Sequence, residues 1–223
     1  MTTMRVGAMG EQLALDLGLP PVPRETVVSR SNEAAAAIVA RWPAWPGPVV
    51  QLIGPEGSGK SHLAAAFARD SGGLLITGQD VAAHDPLALA EQPVAVDDVG
   101  GADEVALFHL INAIREKGTG LLLTTRHTRP VGLADLASRL RAAADVELLP
   151  PDDALLRRVM VEAFAERQLA PRQEVIDFLL GRIERTLHGV MAIVAQMDQE
   201  SLRTMRPPTR PLAAKVLELG LFG

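Results

Sequence analysis

The sequence predicts an α/β fold, a domain with a parallel sheet followed by a small all-helical domain. Three observations carry this. Gly54-Pro55-Glu56-Gly57-Ser58-Gly59-Lys60-Ser61 satisfies G-x-x-x-x-G-K-[ST] at every fixed position, between a short apolar strand and the start of a helix. Short apolar runs without strict alternation recur between helical stretches as far as Leu149, as expected of strands covered on both faces. Beyond Pro150-Pro151 the strand signals stop, and apolar residues recur only at helical spacing.

The elements follow in order. Residues 1–23 read as a tail, broken by Pro20, Pro21 and Pro23 and loosened by Gly7, Gly10 and Gly18. In the α/β domain, residues 24–150, the alanine-rich run Asn32 to Arg41 predicts a helix that stops at Trp42-Pro43. Val49 to Ile53 is a first strand, and a helix follows Lys60. Leu74 to Thr77 is a second strand, and Val94 to Val96 a third that runs into Asp97. The helix Asp103 to Lys117 places Leu107, Phe108, Ile111 and Ile114 on one face. Leu121 to Thr125 gives a fourth strand and Val146 to Leu149 a fifth. In the helical domain, residues 151–223, one stripe runs through Leu155, Leu156, Val159, Met160, Ala163 and Phe164. A second runs through Ile183, Leu187, Val190, Met191, Val194 and Met197.

Composition narrows the function classes. The absence of cysteine excludes disulfides and thiolate metal sites, and fits a reducing compartment. A net charge of −5 argues against a protein whose main task is coating DNA. The apolar runs are too short to span a bilayer, and Met1 to Gly10 lacks the charged start and apolar stretch of a secretion signal. A cytoplasmic protein without a membrane partner is the expectation.

The candidate chemistry begins at the glycine-rich loop. Its glycines let backbone N–H groups turn inward around a phosphate. Lys60 then lies between the β- and γ-phosphates of ADP or ATP, and the Ser61 hydroxyl can ligate Mg²⁺. The whole run from Gly54 through Pro55, Glu56, Gly57, Ser58, Gly59, Lys60 and Ser61 to His62 is the expected nucleotide-binding segment. Asp97 ends an apolar strand, where a carboxylate can hold Mg²⁺ beside that loop. Asp98 is then placed to polarise an attacking water.

The loop, Asp97-Asp98 and Asp135-Leu136-Ala137-Ser138-Arg139-Leu140 together resemble the AAA+ domain of the bacterial replication initiator DnaA, from about Ser31 to the C-terminal helices. The resemblance implies an AAA+ sheet domain with a helical lid. It places Asn32 near the base of the nucleotide and makes Arg139 an arginine finger reaching a neighbouring subunit's nucleotide. Arg185, in Arg185-Thr186-Leu187-His188-Gly189-Val190, matches the family's lid arginine. Helical spacing from Ile183 puts Arg185 about 200° from the apolar stripe, pointing away from the packed face.

Two departures from the family stand out. The chain ends at Gly223, so the helix-turn-helix domain that reads DNA is not expected. Arg126 stands where DnaA carries an aspartate, with Thr125 as the available polar substitute, so weak intrinsic hydrolysis is expected.

In the tail, Gln12-Leu13-Ala14-Leu15-Asp16-Leu17 offers Gln12, Leu13, Leu15 and Leu17 in an arrangement that looks like the peptide by which bacterial replication proteins dock on the DNA polymerase sliding clamp. A clamp peptide before a DnaA-like domain resembles the clamp-bound regulators of this family, which make DnaA hydrolyse its ATP once replication has started. The implied partners are the clamp and DnaA, with another copy of this chain as the alternative neighbour for Arg139. A loader or remodeller acting through its own ATP hydrolysis is the competing expectation.

Overall fold

The computed structural model describes residues 26–126 and 131–218. Its strands are β1 (Val49–Ile53), β2 (Leu74–Thr77), β3 (Val94–Asp97), β4 (Leu121–Thr125) and β5 (Ala144–Glu147). They form one parallel sheet in the order β2-β3-β4-β1-β5.

Alternate side chains go to opposite faces. Val49, Val94, Val96, Leu121 and Leu123 meet Leu107, Leu110, Ile111 and Ile114 of α4 (Glu104–Lys117) and Leu136 of α5 (Ala134–Arg141). Val50, Leu52, Ala95 and Leu122 meet Ala35, Ala36 and Val39 of α1 (Glu33–Ala40) and Leu63, Ala64 and Phe67 of α2 (Lys60–Ser71). With both faces covered, the inner strands β1, β3 and β4 show no alternation of buried and exposed residues. Between β2 and β3 lies the short α3 (Pro86–Leu89), capped by Asp85.

The strand order positions the site. After β1 the chain crosses to β2 at the far edge, returns through β3 and β4, then crosses β1 again to reach β5. The carboxyl end of β1 therefore opens into the crevice at a topological switch point. Because β4 separates β1 from β3, the last residues of β4 stand between the loop and Asp97.

One strand boundary needs correction. The fifth strand is Ala144–Glu147, beginning two residues before the predicted Val146. Ala144 and Val146 are partly buried whereas Asp145 and Glu147 are exposed, the alternation of a half-covered edge strand. Leu148, which drew the prediction, is fully buried just beyond it, and its N–H donates to the Ile53 carbonyl at 2.7 Å.

The helical lid comprises α6 (Asp153–Glu166), α7 (Gln173–Leu180), α8 (Leu187–Thr204) and α9 (Arg210–Glu218). Leu155, Leu156, Met160 and Phe164 pack with Val190, Val194, Met197, Leu212 and Val216, joined by Val27 from the segment before α1. Side chains cap two of these helices. Asp152 accepts from Leu155 N at 2.7 Å, and Thr186 accepts from Gly189 N at 3.0 Å.

The Thr186 cap overturns part of the sequence reading. α8 begins at Leu187, so Ile183 is a buried loop residue and Arg185 lies outside the helix. The angular argument for Arg185 therefore does not apply. Among the described residues, no helix is long and apolar enough to cross a membrane.

Candidate nucleotide site and finger helix

The glycine-rich loop is shaped by two left-handed glycines, Gly57 at φ +72° and Gly59 at φ +100°. A Cβ on Gly57 would fall 2.5 Å from the Thr186 side chain, and one on Gly59 would fall 2.9 Å from Leu187. The lid is thus seated directly on the loop, and Leu187 N donates to the Gly57 carbonyl at 3.2 Å. Lys60 opens α2 and is buried. Its Nζ donates to the carbonyls of Gly54 and Pro55, each at 2.7 Å. Burial holds its pKa below the ordinary lysine value and Arg126 adds to the lowering, while Asp97, Asp98 and Glu56 oppose it.

Beside the loop, β4 supplies a residue that the sequence reading overlooked. Thr124 Oγ1 donates to Asp97 Oδ1 at 2.5 Å and accepts from Asp98 N at 2.8 Å. One buried hydroxyl therefore orients the Asp97 carboxylate and fixes the turn into Asp98. Asp98 is an exposed non-glycine residue at φ 52°, a sparsely populated conformation. Strand register was the available signal: Val96 pairs with Leu123, which brings Asp97 alongside Thr124.

A cavity of about 380 Å³ opens between loop and lid, within the size range of small-ligand sites. Loop and strands contribute Glu56, Gly57, Gly59, Lys60, Ser61, His62, Asp97, Asp98, Thr124 and Arg126. Its other wall is largely apolar, with Val27, Leu155, Val159, Leu187 and Met191. One polar end and one apolar end suit a nucleotide: phosphates against the loop, base against the lid.

The remaining loop residues act from behind. Gly54 and Pro55 offer their carbonyls to Lys60, and Ser58 Oγ is buried without a partner among the described residues. Burial, reinforced by Arg69, lowers the pKa of His62. Asn32 lines the cavity, but its amide is already engaged. Nδ2 donates to the Val27 carbonyl and Oδ1 accepts from Ser29 N, both at 2.8 Å. Its observable task is to hold the Val27 segment against the cavity.

Among the described residues there is no cluster of three or more His, Asp or Glu side chains able to hold a metal. Mg²⁺ needs none, since it commonly binds through one or two protein groups together with phosphates and water. Ser61 and Asp97, both on the cavity wall, are the residues that could hold it.

The two predicted arginines part company. Arg185 forms an ion pair with Asp153 at the start of α6 and does not line the cavity. Arg139 stands on α5, and that helix is pinned at both ends. Glu104 accepts from Gly132 N at 3.2 Å and Leu133 N at 2.7 Å. Buried Gln51 donates to the Leu140 carbonyl at 2.9 Å and to Asp145 Oδ1 at 2.7 Å. Leu136 is fully buried beneath the helix and Leu140 partly so. The Arg139 side chain is partly exposed. It makes no ion pair or hydrogen bond with any described residue, Asp135 included, and it does not reach its own chain's cavity.

Comparison with known proteins fits this architecture. A family model described as "Hda, lid domain" matches residues 153–217. An uncharacterised protein of Haemophilus influenzae is 30% identical over 194 residues, covering 77% of this chain and 82% of the relative. The chain belongs to the Hda/DnaA-like AAA+ family. Its fold is similar to domain III of the replication initiation protein DnaA from Thermotoga maritima (TM-score 0.72, 18% identity, 86% of this chain, 93% of that one). It also resembles AMPPCP-bound DnaA from Aquifex aeolicus (TM-score 0.68, 20% identity, 84% and 68%). The RuvB Holliday junction branch migration motor of Thermotoga maritima is a further neighbour (TM-score 0.60, 18% identity, 83% and 65%). These structural likenesses bear on fold alone. The expected AAA+ sheet domain with a helical lid is what the chain forms.

Proposed function

We propose that this member of the family is a clamp-associated regulator in the cytoplasm that stimulates ATP hydrolysis by DnaA, limiting re-initiation of replication. The observation that carries the proposal is Arg139: a guanidinium without a described partner, on a helix fixed by Glu104 and Gln51, and outside its own chain's cavity. Such a group serves a neighbour's phosphates better than its own. An arginine finger supplied in trans neutralises charge that develops during phosphoryl transfer, and is worth roughly 10³–10⁵ in rate.

The chain's own site serves this role as a structural and regulatory one. Gly54 to His62 would hold the phosphates of ADP or ATP, Ser61 and Asp97 would hold Mg²⁺, and the apolar lid wall would meet the base, so that binding would stabilise the closed arrangement of loop, β3 and lid. Lys60 would meet the phosphate charge from within the loop, and Thr124 keeps Asp97 oriented. The tail would tether the regulator to the sliding clamp through Gln12, Leu13, Leu15 and Leu17, which lie outside the described residues.

Asp98 favours a second reading, an autonomous ATPase, because its exposed carboxylate lines the cavity. The deciding experiment measures ATP hydrolysis by DnaA with this chain, the clamp and DNA each supplied or omitted. Stimulation that needs all three supports the regulator. Turnover by the chain alone, lost in Lys60→Ala, supports the second reading.

A further inference from the structure

The lid meets the cavity through residues of α6 and the start of α8, and α7 and α9 contribute nothing to it. On those two helices Phe178, partly buried against the lid core, gathers two guanidinium groups. Arg182 lies 4.0 Å from the ring centroid and Arg210 5.0 Å. Arg182 is fixed further, because its Nη1 donates to the Phe178 carbonyl at 3.2 Å. Arg206, in the connection from α8 to α9, adds a third cation, and all three residues are exposed. From Arg203 to Lys215 the chain has four cations and no carboxylate, in a protein of net charge −5.

Carboxylates are present on this part of the lid, but they serve other residues. Arg203 and Lys215 share Glu200, and Asp177 pairs with Arg157. Arg182, Arg206 and Arg210 form no ion pair with any described residue, although Glu174 lies one turn before Phe178 on α7. Cation–π attraction holds a guanidinium over the ring and leaves most of its N–H donors open.

Two like charges on one ring repel each other unless an anion is shared between them. The planar guanidinium fork suits phosphate. Duplex DNA offers about one phosphate per 1.7 Å of axis, so neighbouring phosphates can meet both arginines at once. An acidic membrane would draw on the same charges, but a helix lying in it needs a free apolar face. The apolar faces of α7 and α9 are spent in the core through Val175, Ile176, Leu179, Leu212 and Val216, which leaves Leu202 and Met205 exposed at the end of α8.

We propose that Arg182 and Arg210 on the Phe178 platform, with Arg206 in the connection ahead of Arg210, form a sequence-independent docking face for the phosphate backbone of duplex DNA. The inference goes beyond the roles proposed for Arg139 and the tail, and depends on neither.

The test is fluorescence anisotropy of a short duplex of arbitrary sequence with the full-length chain, titrated over a range of salt. Each phosphate contact contributes about 0.9 to the slope of log affinity against log salt. Arg182→Ala combined with Arg210→Ala should reduce the slope by about 2 and weaken all duplex sequences alike, and Arg206→Ala should reduce it by about 1. Arg182→Lys combined with Arg210→Lys, which keeps the charges, should preserve the slope. ADP affinity should match wild type throughout, since none of these residues lines the cavity. An unchanged slope in the double alanine variant overturns the proposal, and so does wild type that binds no duplex at low salt. An equal fall in Arg41→Ala, an exposed cation at the end of α1, overturns it by showing attraction to the general field. A joint loss of duplex and ADP affinity overturns it as a disturbance of the whole lid. Arginine-dependent binding to phosphatidylglycerol vesicles in place of the duplex assigns the face to a membrane and overturns it equally.

Discussion

Lys60 and Arg139 are both cations in an acidic chain, and the fold treats them in opposite ways. Lys60 is buried, with its ammonium held by the carbonyls of its own loop. Arg139 is partly exposed and unpaired among the described residues, while the helix beneath it is tied down by Glu104, Gln51 and the buried Leu136. A cation satisfied inside its own loop is committed to a ligand of the same chain. A free cation on a rigid base is available to another. On the proposed reading, this contrast would separate a nucleotide-holding function from a partner-activating one within a single domain.

The variant with the largest expected effect tests the first half of that contrast. Lys60→Ala should lower nucleotide affinity by roughly 100-fold or more, since it removes a buried charge from the phosphate contact; calorimetry with ADP and Mg²⁺ measures it. Affinity equal to wild type would end the dedicated role of Lys60.

Leu136→Ala probes the base under Arg139. Truncating a fully buried leucine should cost about 2–5 kcal/mol of stability, read from denaturant unfolding. It should weaken DnaA stimulation well before nucleotide binding.

Gln51→Met sharpens the same point more gently. Losing the amide removes one donor from the Leu140 carbonyl, which Ala143 N still serves at 3.0 Å, together with the bond to Asp145, at a cost of about 1–3 kcal/mol. A larger effect on nucleotide affinity than on stimulation would count against a positioning role for Gln51.

The smallest expected effect lies in the lid, remote from both cations. The side-chain hydrogen bonds of Arg203 and Lys215 hold Glu200 down from the ordinary glutamate value of 4.5 to about 2, joining α8 to α9. A depressed carboxylate stabilises the folded state above its unfolded pKa. That contribution should be complete above about pH 4.5 and fade as pH falls towards 2. Glu200→Gln should remove this part of the acid sensitivity, measured as lid unfolding against pH. A pH profile identical to wild type would show that the pair is energetically silent.

What the sequence disclosed follows physical lines. β1, β3 and β4 were legible because inner strands buried on both faces are written as largely apolar runs, and the edge strand β2 because Leu74, Leu75 and Ile76 are apolar although Leu74 is exposed. β5 was displaced by two residues because an edge strand covered on one side carries Asp145 and Glu147 outward, while the apolar Leu148 lies beyond it. Ile183 mimicked a helical stripe with Leu187 at i, i+4, and only the Thr186 cap reveals that it belongs to the loop. The glycine-rich loop and Asp97 were visible because motif and strand end are local features. Thr124, Gln51 and Glu104 were not. Their partners lie 27, 89 and 29 residues away and are brought together only by sheet order and register.

The most direct test of the division between the two cations is a paired measurement on Arg139→Ala: ADP affinity, and stimulation of DnaA ATP hydrolysis in the presence of clamp and DNA. ADP affinity should match wild type while stimulation falls by roughly 10³ or more, the worth of an arginine finger. Stimulation that survives at the wild-type level would contradict the assignment, and would leave Arg139 as a surface arginine with the activating contact elsewhere on the chain.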